Sequence, residues 1–556
     1  MNANDDRSGE QKPEDRKRSG NSVQWVLIIC IVALSALLCA GVVNVVYLLL
    51  QGPAEIEAPS DAADVSQALA TPEDTLPKYL AVSQEPPKAV LSGFDGTEVS
   101  VQDLANQNEN GVWLLFWASW CPDCEEQLNI IAEMEALAEN RGVELILVDR
   151  LNPQKENREN ARTALEKHGA QALCLYDRNE ACYQAWGLRE IPSAVVLDSQ
   201  GTVLEYRAGV MTIAQCEGML DRAIRGRSAP GLAFISEQLF NGRGGICTST
   251  MQNASPSGRD VLSESQGLMM LYALKAGDRA LFDETWLFTR DSMMVDGLSA
   301  WYINAQGVKA QANALLDDLR IWYALHMASS RWGGDYGAAA AGLQAAIAEK
   351  CLNSGGRLVD YVAFDTGKQA ETISLCYLDL EILEALAREA PVFSNAPAQA
   401  RETLSGGRIS DDFPLYYSSY SYADDAYSDA DLNTSEALYT LWNLARVHSL
   451  PEDALAWLRE RVENGDLAAR YHVNGQPAEG FSYHSTAAYG LAALIAREVG
   501  DGQLLELAVR RMERMCVTEW GDTMYGAYHQ KGSPTFAFDQ LIPLLVNTAL
   551  NERTEA

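Results

Sequence analysis

The sequence predicts a multidomain chain with three structured parts in order: an N-terminal transmembrane helix, an α/β domain, and an all-α toroid of helical hairpins, an (α/α)6 barrel. Three observations predict this. An uncharged apolar run fills residues 23–50. Strand-like apolar runs alternate with helical periods across 86–228. Twelve amphipathic runs with few strand patterns occupy the rest, from 229 to 556.

The apolar run reads "VQWVLIICIVALSALLCAGVVNVVYLLL", with only Gln24, Ser35 and Asn44 as clearly polar interruptions. A span needs about 20 such residues, so the run is long enough to cross a bilayer. Arg7, Lys12, Arg16, Lys17 and Arg18 precede it, and Glu55, Glu57, Asp61 and Asp64 follow. The positive-inside rule then assigns 1–22 to a cytoplasmic tail and everything after Leu50 to the extracytoplasmic side of the cell membrane, as a single-pass protein. A cleaved signal peptide is the alternative, but the run is too long for one and no A-x-A site follows. Cys39 follows "ALL", a poor match to a lipoprotein cleavage box.

A formal charge of −33 argues against nucleic acid as a partner and against flat adsorption on an anionic membrane surface. Of eleven cysteines, Cys30 and Cys39 fall in the apolar run. The other nine face an oxidising compartment under this topology, and an odd number leaves one free or paired to another chain.

Residues 51–85 are rich in Ala, Pro, Ser and acids and read as a solvated acidic linker. The α/β domain, 86–228, follows. "KAVLSGFDGTEVSVQDL" predicts a hairpin turning at Asp95-Gly96, then a short helix. "VWLLFWAS" and "VELILVD" predict buried strands, and "EEQLNIIAEMEALAEN" and "ENARTALEKHG" predict helices. "SAVVLDSQGTVLEYRAG" predicts a second hairpin turning at Gln200-Gly201, and "TIAQCEGMLDRAI" a last helix.

Between the first buried strand and its helix lies "CPDC", Cys121 to Cys124. A C-x-x-C unit is also half of a zinc site, but no second such pair exists and the six His are scattered, so no metal is expected. The strand ends just before Cys121, and Pro122 suits the first turn of the following helix. That sets the Cys121 sulfur over unpaired N–H groups and the positive helix end, which favours a thiolate; Cys124, one turn in, is the resolving thiol. A permanent disulfide is the alternative reading. Cys174 and Cys182, eight residues apart around a turn, read as a local disulfide, as relay thiols, or as two small core residues.

On "FDGTEVSVQDL", "FWASWCPDC" and "YQAWGLREIPSAVVLDSQGTVLEYRAG", residues 88–225 resemble the thioredoxin fold, in particular the membrane-anchored redoxin-type thiol–disulfide oxidoreductases. The resemblance implies Cys121 as nucleophile, Cys124 as resolving thiol, and Pro192 at a cis-proline position which, with Ile191, binds substrate. It implies a redox-active Cys121–Cys124 disulfide as the only redox group and extracytoplasmic protein disulfides as partners. Asp123, Glu125 and Glu126 put three carboxylates at the nucleophile's helix end and offset its dipole, so the expected direction is reductant or isomerase.

In the helical half, Glu264 opens an apolar helix in "SESQGLMMLYAL". A helix-N-terminal Glu is commonly just a dipole partner. The segment also resembles the S-E-G-Q-x-Y-A-M-L stretch of glycoside hydrolase family 8, six-hairpin (α/α)6 enzymes in which this Glu is the general acid. "LFNGRGGICTST", "ALKAGDRALFDETWLFTRDSM" and "ANALLDDLRIWYAL" fit the same family over about 230–350. The resemblance implies a β-linked polysaccharide as substrate. Leu316 replaces the first aspartate of the family's second motif, while Asp318 matches the second and Asp317 sits beside it. The family's base segment is most nearly met by "SYHSTAAY", which sets His484 where an Asp should stand.

The second carboxylate must then come from elsewhere. The candidates are Asp424, Asp425, Asp429 and Asp431 in "YYSSYSYADDAYSDADLNTSEAL", with Glu436 behind; this tyrosine- and aspartate-rich loop reads equally as an exposed acidic loop. Trp301, Tyr302, Tyr416 and Tyr417 are candidate sugar platforms, and Asp539 reads as structural. The barrel is therefore a polysaccharide hydrolase, a binding module that lost its base, or a docking scaffold beside the dithiol. Cys216, Cys247, Cys351, Cys376 and Cys516, near or within the barrel, add the further expectation that the tethered dithiol controls it in cis.

Overall fold

The computed structural model describes residues 87–152, 154–251, 259–481, 483–529 and 534–551. The expected cytoplasmic tail, transmembrane helix and acidic linker, residues 1–85, lie outside the described residues. Among the described residues no helix is long and apolar enough to cross a membrane.

The first part is a seven-stranded sheet in the order β2-β1-β5-β4-β3-β6-β7, formed by β1 (Val90–Ser92), β2 (Glu98–Ser100), β3 (Val112–Trp117), β4 (Glu144–Leu151), β5 (Leu173–Arg178), β6 (Ser193–Leu197) and β7 (Val203–Ala208). β3, β4 and β5 run parallel, β6 runs antiparallel to β3, and β7 runs antiparallel to β6. Helices α1 (Val101–Asn106), α2 (Pro122–Leu128), α3 (Ile131–Arg141), α4 (Arg158–His168), α5 (Ala181–Ala185) and α6 (Ile213–Arg225) connect and cover it. Every residue of β3 is buried, which is why "VWLLFW" carries no alternation. The single helix expected after the dithiol is two, because Ile130 leaves the helical region (φ −107°, ψ 15°) between α2 and α3.

The second part holds twelve α-helices among the described residues: α7 (Ser228–Phe234), α8 (Ser263–Ala276), α9 (Arg279–Phe288), α10 (Leu315–Trp332), α11 (Tyr336–Lys350), α12 (Leu380–Glu389), α13 (Ala396–Gly406), α14 (Thr434–Arg446), α15 (Glu452–Asn464), α16 (Thr486–Glu498), α17 (Gly502–Glu513) and α18 (Phe538–Asn551). α8, α10, α12, α14, α16 and α18 form an inner ring, each packed on the next, and α18 closes it against α8 and α7. Inner helices are apolar nearly all round, as α16 illustrates with eleven buried residues. The expected helix over 370–390 begins only at Leu380. Thr372–Ser374 instead pairs as a strand with Ser419–Ser421, and the Asp379 side chain caps α12 by accepting from Ile382 N–H.

The two parts are joined by a buried charge box. Arg222 of α6 donates to Glu205 of β7 (3.3 Å) and pairs with Glu513 of α17 (2.8 Å). Arg227 pairs with the same two carboxylates at 2.6 and 3.2 Å. Two Glu between two Arg leave no net charge in the box, and the Arg pair holds the Glu513 carboxyl down at about 2 against the cost of burial. Around it, Arg207 donates to Thr518 Oγ1 (2.6 Å), Trp520 N–H to Ala214 O (3.0 Å) and Tyr525 O–H to Asp221 (3.1 Å). Gly218 of α6 admits this segment: a Cβ there would stand 2.2 Å from Thr518 O.

Candidate active sites

Cys121 is the N-cap of α2, with Pro122 at its first turn. Its sulfur donates to Ile191 O at 3.4 Å, and the Ile191-Pro192 bond is cis, so the loop expected beside the dithiol lies against it. Cys124 is fully buried, and burial together with Cys121 pushes its thiol far up. The structure holds both as thiols. Asp123, Glu125 and Glu126 are exposed, but Glu125 pairs with Lys167, which lowers its carboxyl and takes one of the three charges out of play.

Two buried carboxylates lie behind the dithiol turn. Glu156 accepts from Ser119 N–H (2.7 Å), Ser119 Oγ–H (2.9 Å) and Asn157 N–H (2.9 Å). Asp149, fully buried at the end of β4, has no hydrogen-bond partner on either oxygen. Burial, with Glu156 and Asp177 adding to it, pushes its carboxyl up to about 8. Cys174 and Cys182 are buried unbonded thiols, so the local disulfide does not form.

In the barrel, Glu264 lies in the first turn of α8 with its side chain 34% exposed. Arg320 of α10 faces it, Nη1 to Oε1 3.8 Å, while Arg320 also donates to Asp317 (3.1 Å) and to Tyr439 Oη (3.0 Å). Asp317 in turn accepts from Ser263 Oγ–H at 2.5 Å. Gly267, one turn on, lets α10 approach, since a Cβ there would meet Arg320 Cβ at 3.2 Å. Crowding by protein pushes the Glu264 carboxyl up to about 7. Arg320 opposes this, and Asp317 and Glu436 add to it.

Glu436 occupies the first turn of α14 as Glu264 does that of α8, and Ser435-Glu436 repeats Ser263-Glu264. Its backbone N–H is capped by Asn433, and its exposed side chain reaches a small recess lined by Cys376, Tyr417, Ser418 and Thr440. The surrounding protein raises its carboxyl, with Arg470 opposing and Asp360 adding. Trp301 O accepts from Ser263 N–H (3.1 Å), so Trp301 and Tyr302, edge to face at 4.4 Å, border Glu264.

Several expected site residues serve the scaffold instead. Asp318 is fully buried and saturated by Ser299 N–H, Ser299 Oγ–H and Asn313 Nδ2–H, so it has no oxygen to offer a sugar. Tyr416 is buried in the core. Asp424 and Asp425 hold an exposed hairpin tip, accepting from Ser421 Oγ–H and Tyr420 O–H, and Asp431 pairs with His472. None of the three is among the charges acting on Glu264. His484 is buried against Leu467 O and Tyr489 Oη, and burial holds it neutral, down at about 4. Arg320, Tyr439 and Asp317 were not read as a unit from sequence. The signal was an arginine inside the apolar "LLDDLRIWYAL", which must find a carboxylate partner when buried. Among the described residues, no group of three or more His, Cys, Asp or Glu side chains is placed to hold a metal ion.

Residues 81–220 match the Redoxin family model and residues 239–363 that of Glycosyl hydrolases family 8. The "Putative lipoprotein YdaJ" of Bacillus subtilis is 27% identical over 331 residues, 58% of this chain and 86% of that protein. The "Thiol-disulfide oxidoreductase ResA" of Bacillus thuringiensis is 25% identical over 26% of this chain and 79% of its own length. A solved structure described as a novel alpha-amylase from Clostridium perfringens superposes with a TM-score of 0.53 at 26% identity, covering 58% of this chain and 96% of that one. The chain carries a redoxin-type, thioredoxin-like domain fused to a glycosyl hydrolase family 8 domain.

Proposed function

We propose that this is a membrane-anchored extracytoplasmic protein that exchanges thiols and disulfides through Cys121 and Cys124 and hydrolyses a polysaccharide in its barrel. For the dithiol, the carrying observation is Cys121 at a helix N-cap with its sulfur 3.4 Å from Ile191 O beside a cis proline. Cys121 attacks and Cys124, whose high thiol pKa keeps it protonated until a mixed disulfide forms, resolves. Two exposed carboxylates beside the nucleophile, Asp123 and Glu126, favour the reducing direction. Insulin reduction abolished by Cys121→Ser is the expected result.

For the barrel, the carrying observation is Glu264 in the first turn of α8 with Arg320 3.8 Å from its carboxylate, where burial raises that carboxyl to about 7 and Glu436, in the first turn of another inner helix, adds to the rise. A carboxyl near 7 is partly protonated at neutral pH and suits a general acid for the leaving oxygen. Glu436, with no hydrogen bond to its carboxylate among the described residues, then activates water. Arg320, held by Asp317 and Tyr439, fixes the acid, and Trp301, Tyr302 and Tyr417 offer sugar faces. Glu264→Gln and Glu436→Gln should each lower hydrolysis at least a hundredfold, and glycan binding without turnover in the wild type would select a binding module instead. The family 8 match favours a β-linked chain, while the likeness to a structure described as an alpha-amylase favours an α-linked glucan. Soluble β-1,4-glucan, chitosan and starch in one panel separate the two.

The uncharged run 23–50 and the relative named a putative lipoprotein both support a membrane anchor. Proteolysis of intact spheroplasts should digest the folded domains while sparing the tail before residue 23.

A further inference from the structure

The faces around Cys121 differ in charge. On one side Trp120, half-buried, carries the Lys155 ammonium 4.7 Å from its ring. No carboxylate pairs with Lys155 among the described residues, whereas its neighbour Arg150 is spent on Glu180 (3.0 Å) and on the Tyr183 ring (4.0 Å). Asp123, two residues after Cys121, and Glu190, immediately before Ile191, are both exposed and border the 3.4 Å contact between the Cys121 sulfur and Ile191 O. Burial raises the Glu190 carboxyl, Arg510 lowers it, and Asp123 adds to the rise. Arg510, which opposes that rise, also pairs with Glu506 at 3.9 Å.

Cys247, Cys351 and Cys376 are buried in the barrel, and Cys516 sits in the charge box behind α6, with Arg222 Nη1 3.4 Å from its sulfur. The box and the Gly218–Thr518 contact hold the two parts together, so in-cis exchange would require opening them.

We propose that the dithiol serves a disulfide in a separate protein, and that Lys155 on Trp120 and the Asp123–Glu190 pair select a cysteine segment with an acidic side chain on one flank and a basic one on the other. This rests on the thiol–disulfide reading above. The Cys121 thiolate attacks one sulfur of the partner's disulfide, that S–S bond breaks, and the departing partner thiolate takes up a proton. Cys124 then gives up its proton and attacks Cys121 Sγ, releasing the second partner thiolate. Two electrons pass to the partner, and the chain is left with one disulfide. Complementary flanks speed encounter and orient it, and mismatched flanks slow both.

The experiment uses the reduced full chain and four peptide disulfides bearing Glu-Cys-Lys, Lys-Cys-Glu, Glu-Cys-Glu and Lys-Cys-Lys. One of the two mixed orders should be reduced about tenfold faster than the others at low salt, and Lys155→Glu should erase that preference. Rates within twofold across the four peptides, or a preference untouched by Lys155→Glu, would overturn the charged surface. Failure of the wild type to reduce any peptide, or a neutral dipyridyl disulfide, would overturn the underlying thiol–disulfide reading. In Cys124→Ser, the trapped mixed disulfide should join Cys121 to the peptide, with the four barrel thiols still alkylatable after denaturation. A disulfide from Cys121 to any of those four would overturn the separate partner.

Discussion

Arg320 stands closer to Asp317 than to Glu264, 3.1 Å against 3.8 Å. The guanidinium is anchored by one carboxylate and only leans on the other, which leaves Glu264 free for the acid role proposed above. Replacing Arg320 with Met should raise the Glu264 pKa further and move the alkaline limb of the hydrolysis profile to higher pH. It should also destabilise the barrel by about 3 kcal/mol, because Asp317 loses its buried partner. A pH–rate profile and urea unfolding check both.

Glu513 gives the joint an acid sensitivity. Its folded pKa, about 2, lies below the ordinary value of 4.5, so its stabilisation is complete above pH 4.5 and is lost as pH falls through about 2. The expected loss is about 3 kcal/mol, at roughly 1.4 kcal/mol per unit. Glu513→Gln should show the deficit at neutral pH, since Arg222 and Arg227 then share Glu205 alone; differential scanning calorimetry across pH tests this.

Asp149 predicts the opposite sign. Its folded pKa, about 8, lies above the ordinary 3.8, so its contribution is present below pH 4 and is lost as pH rises through about 8. The native chain should therefore lose a few kcal/mol (~1.4 per unit) between pH 5 and 8 in the redoxin transition. Asp149→Asn, which cannot ionise, should flatten that slope in urea melts.

Gly218→Ala drives a methyl to 2.2 Å from Thr518 O, a backbone atom that cannot step aside. The variant should loosen the joint at a cost of about 1–3 kcal/mol. Limited proteolysis should then cut within 517–525, with insulin reduction unchanged.

Features whose chemistry is local were legible in the sequence. Cys121, Pro122 and Cys124 declare a strand-to-helix turn by their order alone, and Glu264 announces a helix start. Glu436 has the same local signature, Ser-Glu in a first turn, but its relation to Glu264 exists only once the inner ring is assembled. The tyrosines of 416–427 illustrate the same limit: Tyr416 and Tyr417 both border the recess beside Glu436, yet Tyr416 is buried and Tyr417 only half-buried, and adjacent letters cannot reveal which ring is covered. Asp318 matched a family motif yet serves Ser299 and Asn313, because a buried carboxylate with three donors is a structural part. The joint was invisible, since Arg222 and Arg227 find Glu513 far along the chain with no periodic pattern linking them.

Ring closure by α18 carries a consequence for biosynthesis. α7 and α8 leave the ribosome long before the helix that must complete their packing, and the faces of α6 and β7 wait equally long for the 517–525 segment. The dithiol domain can fold early, but it must spend that interval with Arg222 and Arg227 sharing Glu205 alone. A chaperone that shields a cationic, partly apolar face would find its client here.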